Sequence, residues 1–239
     1  MLKLERCNTY RGAAHVLQEV SLSVREAETV CLVGRNGAGK TTTIDSIMGL
    51  LPVRSGTVTF QGQNITRLAT HERAKLGIGY APEDCGIFAD LTVAENLKIG
   101  HWLAGASRRG GTPASDQDVD ERIFNLFPEL RALTQRKGLY LSGGEKKMVA
   151  IARAMALSPS VLLLDEALEG LAPVVVNRFA EAVKKIKEMG ISLLIAESNL
   201  MTAAKVADTF YVIDRGEIIF HGDQRETFEN EEVLRTIRG

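Results

Sequence analysis

Gly34-Arg35-Asn36-Gly37-Ala38-Gly39-Lys40-Thr41 is the stretch on which the fold turns. It satisfies G-x-x-x-x-G-K-[ST] at every specified position, after an apolar run at 29–33 (TVCLV) and before a segment, 40–49, that should be helical with Gly49 near its end. The composition has a physical reason. Successive backbone N–H groups must point into one concavity to hold a β-phosphate, and side chains would block that approach, so glycines occupy it. The helix N-terminus adds partial positive charge. Lys40 reaches the β- and γ-phosphates as a point charge, and the Thr41 hydroxyl is placed to ligate Mg²⁺. Alone, the motif specifies an NTPase or a nucleotide kinase.

Outward from this loop, 29–33 reads as a strand covered on both faces, because its apolar residues run nearly without interruption. Residues 20–24 alternate apolar and polar, and 57–60 and 77–81 are further short strands. The strongest buried strands are 161–164 (VLLL) and 191–196 (ISLLIA), and 210–213 with 217–220 form a hairpin around Asp214-Arg215-Gly216. Residues 173–189 start with Pro173 and are followed by Gly190, the asymmetry expected of a helix. Strands alternating with helices predict an α/β fold of the P-loop NTPase kind, with a mostly parallel, doubly wound sheet and an antiparallel β portion.

From about 87 to 156 no buried strand is legible. Thr92-Val93-Ala94-Glu95 has the form of a capping box, 119–127 is amphipathic, and Ser142-Gly143-Gly144-Glu145 opens a further helix. Residues 104–118, rich in Gly, Ser, Arg and Asp, read as a mobile surface loop. The expected organisation is one domain: an α/β core (1–84 and 157–239) with an inserted helical subdomain (85–156).

The run 161–164 ends in Asp165-Glu166. Ligands of open parallel sheets lie beyond the carboxyl ends of the strands, so this pair stands in the right place. Asp165 would bind Mg²⁺ through its water shell, and Glu166 would polarise the attacking water as general base.

Leu141-Ser142-Gly143-Gly144-Glu145 then decides among P-loop proteins. Locally it is an N-cap, with Ser142 capping and Glu145 closing the box, and two glycines leave bare N–H groups that a phosphate can approach. Here the sequence resembles the ATP-binding-cassette (ABC) family, whose signature is LSGG. The resemblance runs over nearly the whole chain and is greatest to the shorter of the two cytoplasmic ATPase subunits of branched-chain amino-acid importers. It is carried by GRNGAGKTT at 34–42, IMGLL at 47–51, GYAPE at 79–83, LTVAENL at 91–97, FPEL at 127–130, DEALEGLAP at 165–173 and AESN at 196–199. Importers of urea and aromatic acids look similar.

The resemblance implies an ATPase with ATP and Mg²⁺ as cofactors. It extends the nucleotide-binding set through Thr42 and makes 141–145 a signature that faces the γ-phosphate bound by the other subunit. It also puts Glu83 in the Q-loop near Mg²⁺. Three departures stand out. Where relatives place an aromatic ring under adenine, Arg11 precedes Gly12 and Tyr10 is one residue earlier; either side chain can stack. Glu169 adds a negative charge in the loop that faces the partner, where Ala167-Leu168-Glu169 replaces the usual Pro-Ser-Leu. Ser198 occupies the switch position, commonly His, with a shorter, uncharged side chain that needs a bridging water to reach a γ-phosphate. Slow hydrolysis is expected, with a binding-only regulatory cassette as the competing reading.

Implied partners are a second copy or a paralogous ATPase subunit, integral membrane permease subunits and, indirectly, a periplasmic solute-binding protein. The implied location is peripheral, on the cytoplasmic face of a bacterial-type inner membrane. The lobe would receive a short permease helix near Ile87, Phe88 and Trp102, although for any one of them a place in the lobe core is the stronger expectation. Composition agrees with this. Twenty-nine basic residues against 30 acidic ones, a net of −1, argue against a nucleic-acid footprint. No apolar stretch approaches the roughly 20 residues that span a bilayer, and Met1-Leu2-Lys3-Leu4-Glu5 lacks the apolar run of a secretory signal. Cys7, Cys31 and Cys85 match no metal or disulfide spacing, and reduced thiols are expected. A GTPase would need Asn-Lys-x-Asp, which is absent. ABC proteins of DNA repair or translation usually carry coiled-coil insertions or two cassettes, also absent.

Overall fold

The computed structural model describes residues 1–105 and 115–238. In chain order the elements are β1 (Leu2–Arg11), β2 (Ala14–Val24), β3 (Thr29–Val33), α1 (Lys40–Met48), β4 (Val53–Phe60), β5 (Gln63–Asn64), α2 (Thr70–Lys75) and β6 (Ile78–Ala81). Helices α3 (Val93–Gly105), α4 (Asp116–Leu126) and α5 (Gly143–Met155) follow, then β7 (Val161–Asp165), α6 (Pro173–Glu188), β8 (Ser192–Glu197), α7 (Leu200–Ala203), β9 (Thr209–Asp214), β10 (Glu217–Gly222), α8 (Gln224–Glu229) and α9 (Glu231–Arg238).

A six-stranded sheet, ordered β10-β9-β3-β8-β7-β6, forms the centre. All its pairings are parallel except β10 on β9. Every residue of β3, β7 and β8 is buried, which explains why those strands read as continuous apolar runs rather than alternating ones. Alternation survives as a division of labour. Val30, Leu32, Leu163 and Leu194 join the core shared with α1 and the N-terminal strands. Cys31, Val33, Leu162, Leu164, Leu193 and Ile195 join the core shared with α5 and α6. Each fully buried Leu, Ile or Val contributes about 2 kcal/mol, and the two faces together hold the carboxyl ends of β3, β7 and β8 in fixed register.

The antiparallel sheet, β2-β1-β4-β5, covers one face. Its strands are longer than expected: β2 spans 14–24 rather than 20–24, and β4 spans 53–60 rather than 57–60. β1 was not legible as a strand. Its buried residues are Leu2, Leu4, Cys7 and Thr9, so the alternation slips at Arg6, which sits at φ +48° in a bulge. β2 slips opposite, at Glu19 (φ +50°), and the two bulged residues pair at 2.8 Å. The β9–β10 hairpin turns on Arg215 and Gly216, both at positive φ, as a two-residue turn between right-twisted strands requires.

α1 ends at Met48, with Gly49 left-handed at φ +73° as its C-cap. The buried Arg73 of α2, a helix the sequence did not reveal, donates to the carbonyls of Ser46 and Ile47 and so satisfies orphan acceptors of that helix end. α6 ends at Glu188 and Gly190 is left-handed. Between β6 and β7 the described residues form helices and one isolated bridge. The Thr92–Glu95 box opens α3, with the Glu95 N–H donating to Thr92 Oγ1 at 3.2 Å and the Thr92 N–H to Glu95 Oε2 at 2.7 Å. The segment read as a loop over 104–118 is shorter where it is described: Ala104 and Gly105 close α3, and α4 starts at Asp116 behind a Ser115 N-cap, earlier than the expected 119. Residues 106–114 lie outside the described residues. All three cysteines are buried free thiols. No helix among the described residues is long and apolar enough to cross a membrane.

Candidate functional site

Loop 34–39 leaves the carboxyl end of β3 and feeds α1, so its backbone sits at the focus of the parallel strands. Two glycines earn their place differently. A Cβ on Gly34 would lie 2.3 Å from the carbonyl oxygen of Ile213, which the packing forbids. Gly39, the residue that opens α1, stands at φ +116°, reserved for glycine, and leaves the helix without a side-chain cap. The first N–H groups of α1 therefore have neither an intrahelical nor a capping partner and can face an anion.

Lys40 is 3% exposed. Its ammonium donates to the carbonyls of Gly34 at 2.9 Å and Arg35 at 3.2 Å, and pairs with Glu166 Oε1 at 3.0 Å. β3 and β7 thus deliver the lysine and the glutamate to one point across the intervening β8. A cleft of about 560 Å³ opens there, lined by Arg11, Val16, Asn36, Lys40, Thr41, Thr42, Glu83, Glu166 and Glu169.

Three carboxylates, Glu83, Glu166 and Glu169, line this cleft, and a fourth, Asp165, lines an adjoining one that shares Thr41 and Glu83. Asp165 is buried, and neither side-chain oxygen has a hydrogen-bond partner among the described residues. Burial raises its pKa to about 6; the neighbouring charges of Glu166 and Glu83 add to the rise, and the Thr41 hydroxyl, beside it but outside hydrogen-bonding geometry, opposes it. An orphaned buried carboxylate beside a threonine hydroxyl, with Glu83 on the same wall, is a donor set that fits a hard divalent cation. Carboxylate oxygens of Glu83, Glu166 and Glu169 all lie within 4.8 Å of one another. Glu166 and Glu169 divide their proton unequally. The hydrogen bond to Glu166, then burial, raises Glu169 to about 7. Glu166 is held below the usual carboxylate range: burial opposes this, but the bonds from Glu169 and Lys40 prevail. The extra charge at Glu169 is thereby reduced near neutral pH.

The signature segment is not part of this cleft. Ser142 caps α5 by accepting from the Glu145 N–H, and Glu145 Oε2 accepts from the Ser142 N–H at 2.7 Å. Leu141 is buried, Gly144 and Glu145 are half-buried, and Ser142 and Gly143 are exposed. Two groups beneath the acidic turn were not singled out from sequence. Lys147, one turn beyond Gly143 on α5, donates to the backbone carbonyls of Glu166 and Glu169, each at 2.7 Å. Glu197, fully buried at the end of β8, accepts from the Leu168 N–H at 3.0 Å, and burial raises it to about 7. The signals were present in retrospect: position 147 falls on the helix face of Gly143, and Glu197 is a charge inside an apolar strand.

Of the two adenine candidates, Arg11 lines the cleft and Tyr10 does not. Arg11 is anchored by Asp45 at 2.6 Å and Thr42 at 3.1 Å, which fixes the guanidinium plane and leaves about half the side chain exposed. The Tyr10 ring is already stacked on His15, with centroids 4.3 Å apart. Ser198 is half-buried beyond β8 and does not line the cleft. Elsewhere, an apolar cavity of about 280 Å³ is lined by Met48, Ile78, Tyr80, Phe88, Ile99 and Arg153. Phe88 is half exposed under the Arg153 guanidinium, Ile87 packs on the core, and Trp102 is exposed outside the cavity.

With this geometry in view, similarity to known proteins becomes specific. A family model described as ABC transporter matches residues 17–169. The probable branched-chain amino acid transport ATP-binding protein LivF of Archaeoglobus fulgidus is 35% identical over 243 residues, covering 100% of this chain and 99% of that protein. The lipopolysaccharide export system ATP-binding protein LptB of Escherichia coli is 34% identical over 232 residues, 96% of this chain and 93% of that one. Among solved structures, the ADP conformation of MJ1267, an ATP-binding cassette of an ABC transporter, superposes with a TM-score of 0.83 at 30% identity, covering 100% of this chain and 98% of that chain.

Proposed function

The chain belongs to the ABC transporter family and is one of its ATPases, and from that premise we propose that it energises import of branched-chain amino acids. The observation that carries the mechanism is the convergence of Lys40, Thr41 and Glu166 on one cleft at the carboxyl ends of β3 and β7, with Asp165 lining an adjoining cleft that shares Thr41 and Glu83. Residues 34–42 hold the phosphates of ATP, and Arg11 lies under the adenine as an anchored guanidinium platform. The terminal phosphate competes with Glu166 for Lys40, and the released carboxylate accepts a proton from the attacking water. Thr41, Asp165 and Glu83 would hold Mg²⁺, which would neutralise charge on the phosphates.

Residues 85–156 act as a lobe, and Ser142 and Gly143 meet the nucleotide of a second cassette, either another copy or a paralogue. The apolar cavity beside Phe88, between that lobe and the core, suits a short helix of a membrane permease at the cytoplasmic face. The full-length similarity to the LivF protein supports branched-chain amino acids as the solute. The similarity to LptB supports a second reading, in which the cassette drives lipopolysaccharide export. Reconstitution with the membrane subunits that co-purify with the chain separates the two. Leucine, isoleucine or valine delivered on a binding protein should stimulate ATP hydrolysis and accumulate inside the vesicles. Hydrolysis that responds to lipopolysaccharide and not to these amino acids would replace the importer reading with the export one.

A further inference from the structure

Glu166 stands at φ +48°, a left-handed conformation that a glutamate keeps only where its surroundings over-determine it. Three contacts do so. Its N–H donates to the Ala196 carbonyl at 2.9 Å, and its own carbonyl accepts from the Glu169 N–H at 3.3 Å and from Lys147 Nζ at 2.7 Å. The Lys147 ammonium also binds the Glu169 carbonyl at 2.7 Å, so one cation clasps both ends of the turn 166–169. Lys147 rides on α5 four residues after Gly143, on the same helix face as that exposed glycine. A helix transmits displacement along its axis with little internal strain. A shift of its N-terminus therefore moves the cation, and the cation moves the turn.

We propose that Lys147 is a positioning residue for Glu166, and that it links the N-terminus of α5 to the carboxylate in the cleft of the same chain. The linkage rests on the reading that Ser142 and Gly143 contact the nucleotide of a second cassette. On that reading, nucleotide in the partner's cleft sets the geometry of Glu166 in this one, and the two sites hydrolyse cooperatively.

The test compares full-length Lys147→Met, Lys147→Arg and Lys146→Met with wild type, measuring ATP turnover, the Hill coefficient, binding of a fluorescent ATP analogue and melting temperature. Lys147→Met should lower kcat by about tenfold to a hundredfold, the usual worth of a charge-assisted hydrogen bond, with nucleotide affinity unchanged and the Hill coefficient falling to unity. Lys147→Arg should restore most of the rate and the cooperativity. Lys146→Met makes the same charge change one residue away and should hydrolyse as wild type. A crystal structure of Lys147→Met should show Glu166 relaxed out of the left-handed region. Wild-type turnover and cooperativity in Lys147→Met, or a Glu166 still at φ near +48° in that structure, would overturn the proposal. Gly143→Ala keeps the two outcomes apart: its hydrolysing normally would remove the second-cassette reading and with it the linkage, whereas a dead Gly143→Ala beside a normal Lys147→Met would remove the role of Lys147 alone.

Discussion

α1 and α5 both begin at glycines suited to phosphate, yet their surroundings are opposite. At α1 the chain itself completes the site: Gly34 is pressed against Ile213, and Lys40 is buried between two loop carbonyls and Glu166. At α5 a Cβ on Gly143 would meet no described atom within 4 Å, and Ser142 is exposed. A glycine can therefore be demanded by the chain's own packing or by the approach of something outside it, and substitution distinguishes these.

The largest expected effect is at the closed end. Glu166→Gln should lower phosphate release by about 10²- to 10⁴-fold, the usual contribution of a positioned general base, while ATP binding persists. Turnover equal to wild type would show that another group accepts the proton. At the open end, Gly143→Ala should cost about a hundredfold in turnover if N–H groups there meet a developing phosphate charge. The melting temperature should hold or rise, because alanine is favoured over glycine in a helix by up to about 1 kcal/mol.

Glu197 ties the loop before α1 to the turn 166–169, accepting from Leu168 through its carboxylate and from Gly34 through its backbone carbonyl. Its pKa is raised from 4.5 to about 7 in the fold, so the native state keeps a proton that the unfolded chain releases. Its contribution to stability is intact below about pH 4.5 and is lost as pH rises through about 7, a difference of about 3 kcal/mol. Glu197→Gln should flatten that decline and raise the melting temperature above pH 7; an unchanged pH slope would mean that the carboxylate is neutralised by a partner instead. The smallest effect is expected from Gly34→Ala. It should destabilise the fold by about 2 kcal/mol through overpacking against Ile213, the reverse of the Gly143→Ala result. Equal melting temperatures for the two alanine variants would erase the contrast between the helix ends.

The same contrast governs what could be read from the sequence. The buried parallel strands and the loop between β3 and α1 were legible because burial on both faces makes strands continuously apolar, and because backbone approach to phosphate restricts residue choice. β1 was lost to period-two reading, since the bulge at Arg6 flips the alternation halfway along. Arg73 was invisible because nothing in a six-residue polar helix announces that one arginine is buried as a cap for another helix. Lys147 was marked only by its spacing from Gly143, because its partners are backbone carbonyls, which carry no sequence signal. Arg11 and Tyr10 were equivalent in sequence, and only the anchoring of Arg11 by Asp45 and the stacking of Tyr10 on His15 separate them.

Everything at the open end depends on a second cassette meeting α5, and the Glu166→Gln chain trapped with Mg·ATP examines that directly. A structure of the complex should be a dimer in which Ser142 of the partner subunit lies within hydrogen-bonding distance of the γ-phosphate held by Lys40. A complex in which the α5 N-terminus faces solvent while ATP is fully bound would contradict it.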